Sequence, residues 1–235
     1  MSQPYFQFRR FTVRHDAASM PVGTDGVLLG AWASIEEASH ILDIGTGSGL
    51  IALMAAQRAP HAIVEAIDVD EPSVMQAQYN AQASPFAQRI LISKADVRSF
   101  ASINGKFDHI LSNPPFLVND VLPPNERRRM ARNASSLPAE SLLDAAVRLL
   151  SEDGRLSVVL PSSSQMMFVS LGLERELYLT RCLRVRTVMR KPPKRVLLEF
   201  ARQRPCETLC EEMILQQADG TRSPEYDRLT EDFYL

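Results

Sequence analysis

Short apolar runs, each closed by glycine, proline or an acid, alternate along the chain with stretches whose apolar residues recur at helical spacing. Tyr5 to Val13 alternates aromatic and polar residues as a β-strand does, most clearly at Phe6-Gln7-Phe8 and Arg10-Phe11-Thr12-Val13. Val22 to Gly26 reads as a turn into the helical stretch Val27–Ala33. The apolar runs 40–44, 62–67, 89–92, 106–111 and 154–160 are predicted strands. Predicted helices follow Gly49 and Asp70, with Pro72 suited to a first helical turn. Two more span 138–150, with Leu142, Leu143, Ala146, Leu149 and Leu150 on one face, and 162–176. Two last strands flank Lys191-Pro192-Pro193-Lys194 as a closing hairpin. Strands alternating with helices imply an α/β fold: a Rossmann-like, mostly parallel sheet of seven strands, helices on both faces and an antiparallel hairpin at the end. The polar segment 117–137 is too long for an idle connection and is expected to be a substrate loop.

Chemistry concentrates at two strand ends. His40-Ile41-Leu42-Asp43-Ile44 runs into Gly45-Thr46-Gly47-Ser48-Gly49 and then the apolar start of a helix. Strand, glycine turn and helix make a nucleotide-binding unit, in which bare backbone approaches the ligand and the helix start offers free N–H donors. The Gly-x-Gly-x-Gly spacing differs from the pattern suited to a pyrophosphate. The next strand ends at Asp68, 23 residues after Gly45, where a carboxylate can take both ribose hydroxyls of a nucleoside. Ser112-Asn113-Pro114-Pro115-Phe116 closes the fourth strand. Two prolines fix φ and remove two donors, leaving a rigid turn that projects Asn113 and Phe116. Such a turn can grip a flat amino group, the Asn113 and Pro114 carbonyls accepting its hydrogens while the ring stacks on its face.

Together these residues resemble the S-adenosylmethionine-dependent methyltransferases that modify exocyclic or amide nitrogens. Asp43, Gly45, Gly47 and Gly49 match the first cofactor motif and Asp68 its ribose ligand. Asp96, followed by Val97, matches the acid that contacts the cofactor's adenine. Asn113-Pro114-Pro115-Phe116 matches the catalytic tetrapeptide, with Phe where many members carry Tyr; stacking survives that change. The segments 6–11 and 22–32 and the tail 225–235 are similar to the bacterial family that methylates N6 of adenine 37 in a valine tRNA. The resemblance implies S-adenosyl-L-methionine as cofactor, no metal, a tRNA substrate, and Asn113, Pro114 and Phe116 as the catalytic set. Thr24 and Asp25, in the second segment, are substrate-binding candidates.

Composition narrows the alternatives. The 235 residues are 45% hydrophobic and 23% charged, as expected of one domain: an N-terminal extension (1–39), a catalytic core (40–204) and an acidic C-terminal extension (205–235). No apolar run is long enough to span a membrane and the N-terminus lacks a signal-peptide core, so a cytoplasmic protein is expected. Cys182, Cys206 and Cys210 lack the partners of a zinc site and read as free thiols. The net charge of −2 hides an asymmetry, since residues 181–204 hold nine cations against Glu199 and residues 205–235 hold eight acids against two arginines. Arg127, Arg128 and Arg129 form a second basic cluster after the proline turn. Arginine-rich surface beside a site favours a phosphate-bearing substrate, and these three are candidate tRNA contacts. A release-factor glutamine methyltransferase uses the same tetrapeptide, but such enzymes carry a sizeable helical N-terminal domain, and an rRNA base is a further possible acceptor. A DNA adenine methyltransferase would need a target-recognition domain for which no segment here is long enough. A binding module that lost catalysis would not need the full set of Asp43, the glycines, Asp68, Asp96 and Asn113. A monomer is the default.

Overall fold

A computed structural model of the chain describes residues 4–15, 22–114 and 137–235. Its elements are β1 (Tyr5–Gln7), β2 (Thr12–Arg14), α1 (Thr24–Trp32), β3 (His40–Ile44), α2 (Leu50–Arg58), β4 (Ile63–Asp68), α3 (Glu71–Gln82), β5 (Ile90–Lys94) and β6 (Phe107–Ser112). They continue as α4 (Ala139–Leu149), β7 (Leu150–Pro161), α5 (Gln165–Leu173), β8 (Tyr178–Arg186), β9 (Arg195–Ala201), β10 (Leu209–Ile214) and α6 (Pro224–Thr230). Eight strands form one sheet in the order β10-β8-β9-β7-β6-β3-β4-β5, in which only β9 runs against its neighbours. From β3 the chain winds outward through β4 and β5, then returns to the other side of β3 as β6 and β7. The crevice at the carboxyl ends of β3 and β6 is therefore the topological switch point, where open α/β sheets bind ligands.

All five residues of β3 are buried, as a central parallel strand covered on both faces requires. Ile41 joins the core under α1 and α2, whereas Leu42 and Ile44 face the core under α4 and α5. On α3, the Asp70 carboxylate accepts from the Ser73 N–H at 3.0 Å and Pro72 occupies the first turn, so the chain starts that helix cleanly after β4.

The seven expected strands of the sheet are present, and three readings of the pattern are corrected. Tyr5 to Val13 is a hairpin rather than one strand: the Phe8 N–H donates to the Phe11 carbonyl at 2.9 Å, and β1 pairs back on β2 from Tyr5↔Arg14. The turn lets Phe8 and Phe11 stack with centroids 4.8 Å apart and bury themselves in the core. The helix expected over 162–176 opens with a 3-10 turn at Ser162–Ser164 and its α-helix stops at Leu173, with Glu176 in the left-handed region at φ 58°. The acidic extension supplies an eighth strand: β10 pairs parallel with β8 from Leu209↔Arg181 to Ile214↔Arg186.

Candidate active site

Strand register brings the sequence-predicted residues to one edge. Ile44 lies opposite both Ile67 and Ser112, and Asp68 opposite Lys94, so β3, β4, β5 and β6 end level. The Ser112 hydroxyl donates to the Ile44 carbonyl at 2.9 Å, fastening the end of β6 to the start of the glycine turn. Asn113 follows half-buried and Pro114 buried. Phe116, like Arg127, Arg128 and Arg129, lies outside the described residues.

The turn after β3 depends on its glycines. Gly45, Gly47 and Gly49 have φ of 73°, 55° and 82°, values a side chain resists. A Cβ built on Gly45 or Gly47 meets no atom within 4 Å, so the backbone there is bare toward the crevice. Gly49 is kept for packing instead, because its Cβ would lie 3.2 Å from the Ala77 Cβ of α3. Asp68 braces this turn from the neighbouring strand. Its Oδ2 accepts the Gly47 N–H and its Oδ1 the Asp70 N–H, both at 2.9 Å. Behind the turn, Asn80 of α3 donates to the carbonyls of Ser48 and Arg14 at 2.8 Å, and its Oδ1 accepts the Arg14 N–H at 3.0 Å. One buried amide thus ties the N-terminal hairpin to the glycine turn.

Asp43 is wholly buried beneath the turn, where its Oδ2 accepts the Thr46 hydroxyl at 2.6 Å and the Ala52 N–H at 3.2 Å. Its Oδ1 is buried with no hydrogen-bond partner among the described residues. Burial pushes the carboxyl up to about 7 against the lowering by Thr46 and Ala52, and the charge of Asp68 adds to the rise. Asp96 sits at the edge after β5, where Arg98 binds it through Nε at 2.9 Å to both oxygens, and through its backbone N–H at 2.9 Å. The hydrogen bond from Arg98 is the main cause holding the Asp96 carboxyl below its ordinary value. Val97 is buried beside it in the α4 core. Thr24 is exposed on the first turn of α1, and Asp25 pairs with Arg195 Nε at 2.7 Å.

The family of the chain follows from comparison. Residues 23–184 match the family model "Methyltransferase small domain". A relative from Bacteroides thetaiotaomicron named tRNA1(Val) (adenine(37)-N6)-methyltransferase is 44% identical over 100% of this chain and 99% of its own. The chain belongs to that methyltransferase family. Another member, from Tolumonas auensis and of the same name, is 39% identical over 98% of this chain and 96% of its own. Among solved structures, one described as a predicted O-methyltransferase from Agrobacterium tumefaciens superposes with a TM-score of 0.69 at 17% identity, covering 89% of this chain and 96% of that one. A SAM-dependent methyltransferase from Aquifex aeolicus gives 0.53 at 14%, covering 71% and 84%. At such identities the likeness is one of fold, and it is the Rossmann-like methyltransferase fold. S-adenosylmethionine is the methyl donor this family and fold imply.

The sequence reading missed Thr46 and Asn80, and it placed Arg195 among the nine cations of 181–204 without its partner Asp25. A threonine within a glycine turn carries no signal without its partner. Asn80 carries little signal either, because the buried face of α3 also holds the polar Ser73 and Gln76. Among the described residues no cluster of His, Cys, Asp and Glu could hold a metal, and no helix is long and apolar enough to cross a membrane.

Proposed function

We propose that this protein transfers a methyl group from S-adenosylmethionine to the exocyclic N6 of adenine in tRNA, at position 37 of a valine tRNA. The observation that carries the reading is the fastening of Ser112 to Ile44, which brings Asn113 and Pro114 beside the glycine turn at the switch point. The names of the full-length relatives supply the acceptor. The residues present fit the cofactor. The bare backbone at Gly45 and Gly47, the orphaned Asp43 oxygen and the Asp68 carboxylate are what a nucleoside with a charged amino-acid tail needs. When bound, S-adenosylmethionine supplies an electrophilic methyl on a sulfonium and therefore the driving force. Asp68 would hold the ribose hydroxyls, Asp96 and Val97 would flank the adenine, and Gly45, Gly47 and Asp43 would face the tail.

The chain's own work is positioning. The amino lone pair of adenine is delocalised into the ring and attacks poorly at rest. With its two hydrogens accepted by the Asn113 side chain and the Pro114 carbonyl, the nitrogen is drawn toward pyramidal geometry and its lone pair is aimed at the methyl. No base of raised pKa has to act before transfer, and the proton leaves from a nitrogen already made cationic. Phe116 would hold the base out of its stack, at low cost in a loop that is already single-stranded. The test offers unmodified tRNA, a release factor and duplex DNA with labelled cofactor. N6-methyladenosine in tRNA alone is expected, and label on glutamine or on none of the three overturns the reading.

A further inference from the structure

The nine cations of residues 181–204 look like one basic cluster in sequence, but the sheet divides them. β9 runs against β7 with Arg195 opposite Pro161 and Ala201 opposite Arg155, and the Ser162 N–H donates to the Lys194 carbonyl at 3.1 Å. The β8–β9 turn therefore stands on the same edge of the sheet as Asn113 and the glycine turn. Arg184, Arg186, Arg190, Lys191, Lys194 and Arg195 lie toward that edge. Arg202 follows the far end of β9 and donates to the Val147 carbonyl, with Arg204 beyond it. Arg181 lies over the Trp32 ring at 4.4 Å and donates to Ser34, at the opposite end of α1 from Asp25.

At the site edge Arg186 is paired with Glu212 at 3.1 Å, whereas the cations of the turn itself are presented. Arg190, Lys191 and Lys194 are exposed, and none forms an ion pair among the described residues. Met189 beside them is 72% exposed, an apolar side chain on which an unpaired base can rest. Arg195 is held differently. Asp25 takes its Nε and the Lys194 carbonyl its Nη1, at 2.7 and 3.1 Å, so the guanidinium is fixed with its remaining donors unclaimed by these partners. A fork pre-organised in this way suits a phosphate. Two strand spacings across β7 and about two residues along it put Arg195 roughly 12 Å from Asn113. Nucleotides flanking a base held at Asn113 can span that distance.

We infer that the β8–β9 turn, with Arg195 set by Asp25, is the surface that carries the RNA backbone beside the target base, and that Arg181, Arg202 and Arg204 take no part. The inference rests on the tRNA reading above. Its test compares Arg190→Glu/Lys191→Glu with Lys106→Glu/Arg204→Glu, which makes the same change in charge at the opposite edge. Binding of unmodified tRNA is measured across salt, with S-adenosylmethionine affinity as the control for folding. The turn variant is expected to bind tRNA at least about tenfold more weakly, with a log–log salt slope shallower by about 1.4–1.8 for two phosphates, and to keep its cofactor affinity. The opposite-edge variant is expected to stay within about twofold of the parent. Asp25→Asn, which keeps every cation, is expected to raise the tRNA KM several-fold at unchanged kcat. Equal losses in both charge-reversed variants, or none in the turn variant while the parent methylates tRNA, overturn this surface and leave the proposed function standing. A parent that methylates a protein in place of tRNA overturns both.

Discussion

Asp68 has two duties, and replacing it should separate them. Its oxygens accept the Gly47 and Asp70 N–H groups at 2.9 Å, so Asp68→Ala releases the glycine turn as well as the proposed ribose contact. Each backbone bond is half-exposed and water can replace it, giving about 0.5–1.5 kcal/mol apiece. Together they amount to roughly 1–3 kcal/mol, or a fall in Tm of roughly 2–12 °C for a chain of this size. The cofactor should lose a charged hydrogen bond worth about 1.5–3 kcal/mol, a roughly 10- to 150-fold rise in Kd. Titration calorimetry with S-adenosylmethionine and scanning calorimetry of the free protein measure the two effects apart. A lowered Tm with unchanged Kd would show that Asp68 serves only the turn and would refute its place in the cofactor site. An unchanged Tm would refute the bracing role derived from the two bonds.

Asn113→Ala should leave cofactor affinity nearly intact and slow single-turnover methyl transfer by at least about a hundredfold; a rate within a few-fold of the parent removes it from the chemistry. Phe116→Ala should be severe and Phe116→Tyr mild, because only the first loses the stacking ring. For Asp43 the sign runs against the usual carboxylate. With its pKa raised from 3.8 to about 7 by burial, the folded state holds the proton more tightly than the unfolded chain. Its contribution to stability is therefore greatest at low pH, declines as pH rises from about 4 to 7 and is level above. Asp43→Asn, which keeps an acceptor for Thr46 and Ala52, should gain stability over the parent as pH rises from 5 to 8 while binding the cofactor less well. Urea midpoints at the two pH values check this, and a parent–variant difference that does not change with pH contradicts it.

Much of the site could be read in the sequence because its parts are local. Gly45, Gly47 and Gly49 announce themselves through backbone angles that few other residues accept, and the apolar run before them marks a strand buried on both faces. Two prolines after β6 predict a rigid turn by the same logic; Pro114 is buried, and Pro115 lies outside the described residues. What escaped is non-local or weakly patterned. Four of the six residues of β10 are exposed, Leu209 among them, and it buries only Met213, so no alternation betrays it, and its partner β8 lies some thirty residues away. The Asp25–Arg195 pair joins residues 170 apart, and the division of the basic segment between two edges exists only once β9 has reversed direction. Asp96 was legible as an acid after β5, but its engagement by Arg98 was not.

β10 also decides what the sheet shows to other molecules. Without it, β8 would present an unpaired strand carrying Leu183 and Val185, residues suited to zipping against a second chain. With it, the outermost strand carries Glu211 and Glu212, both exposed. Two copies brought edge to edge would set these acids against one another. The acidic tail thus gives the sheet a border that repels its own kind, and through the Arg186–Glu212 pair at 3.1 Å it is fastened to the foot of the basic turn.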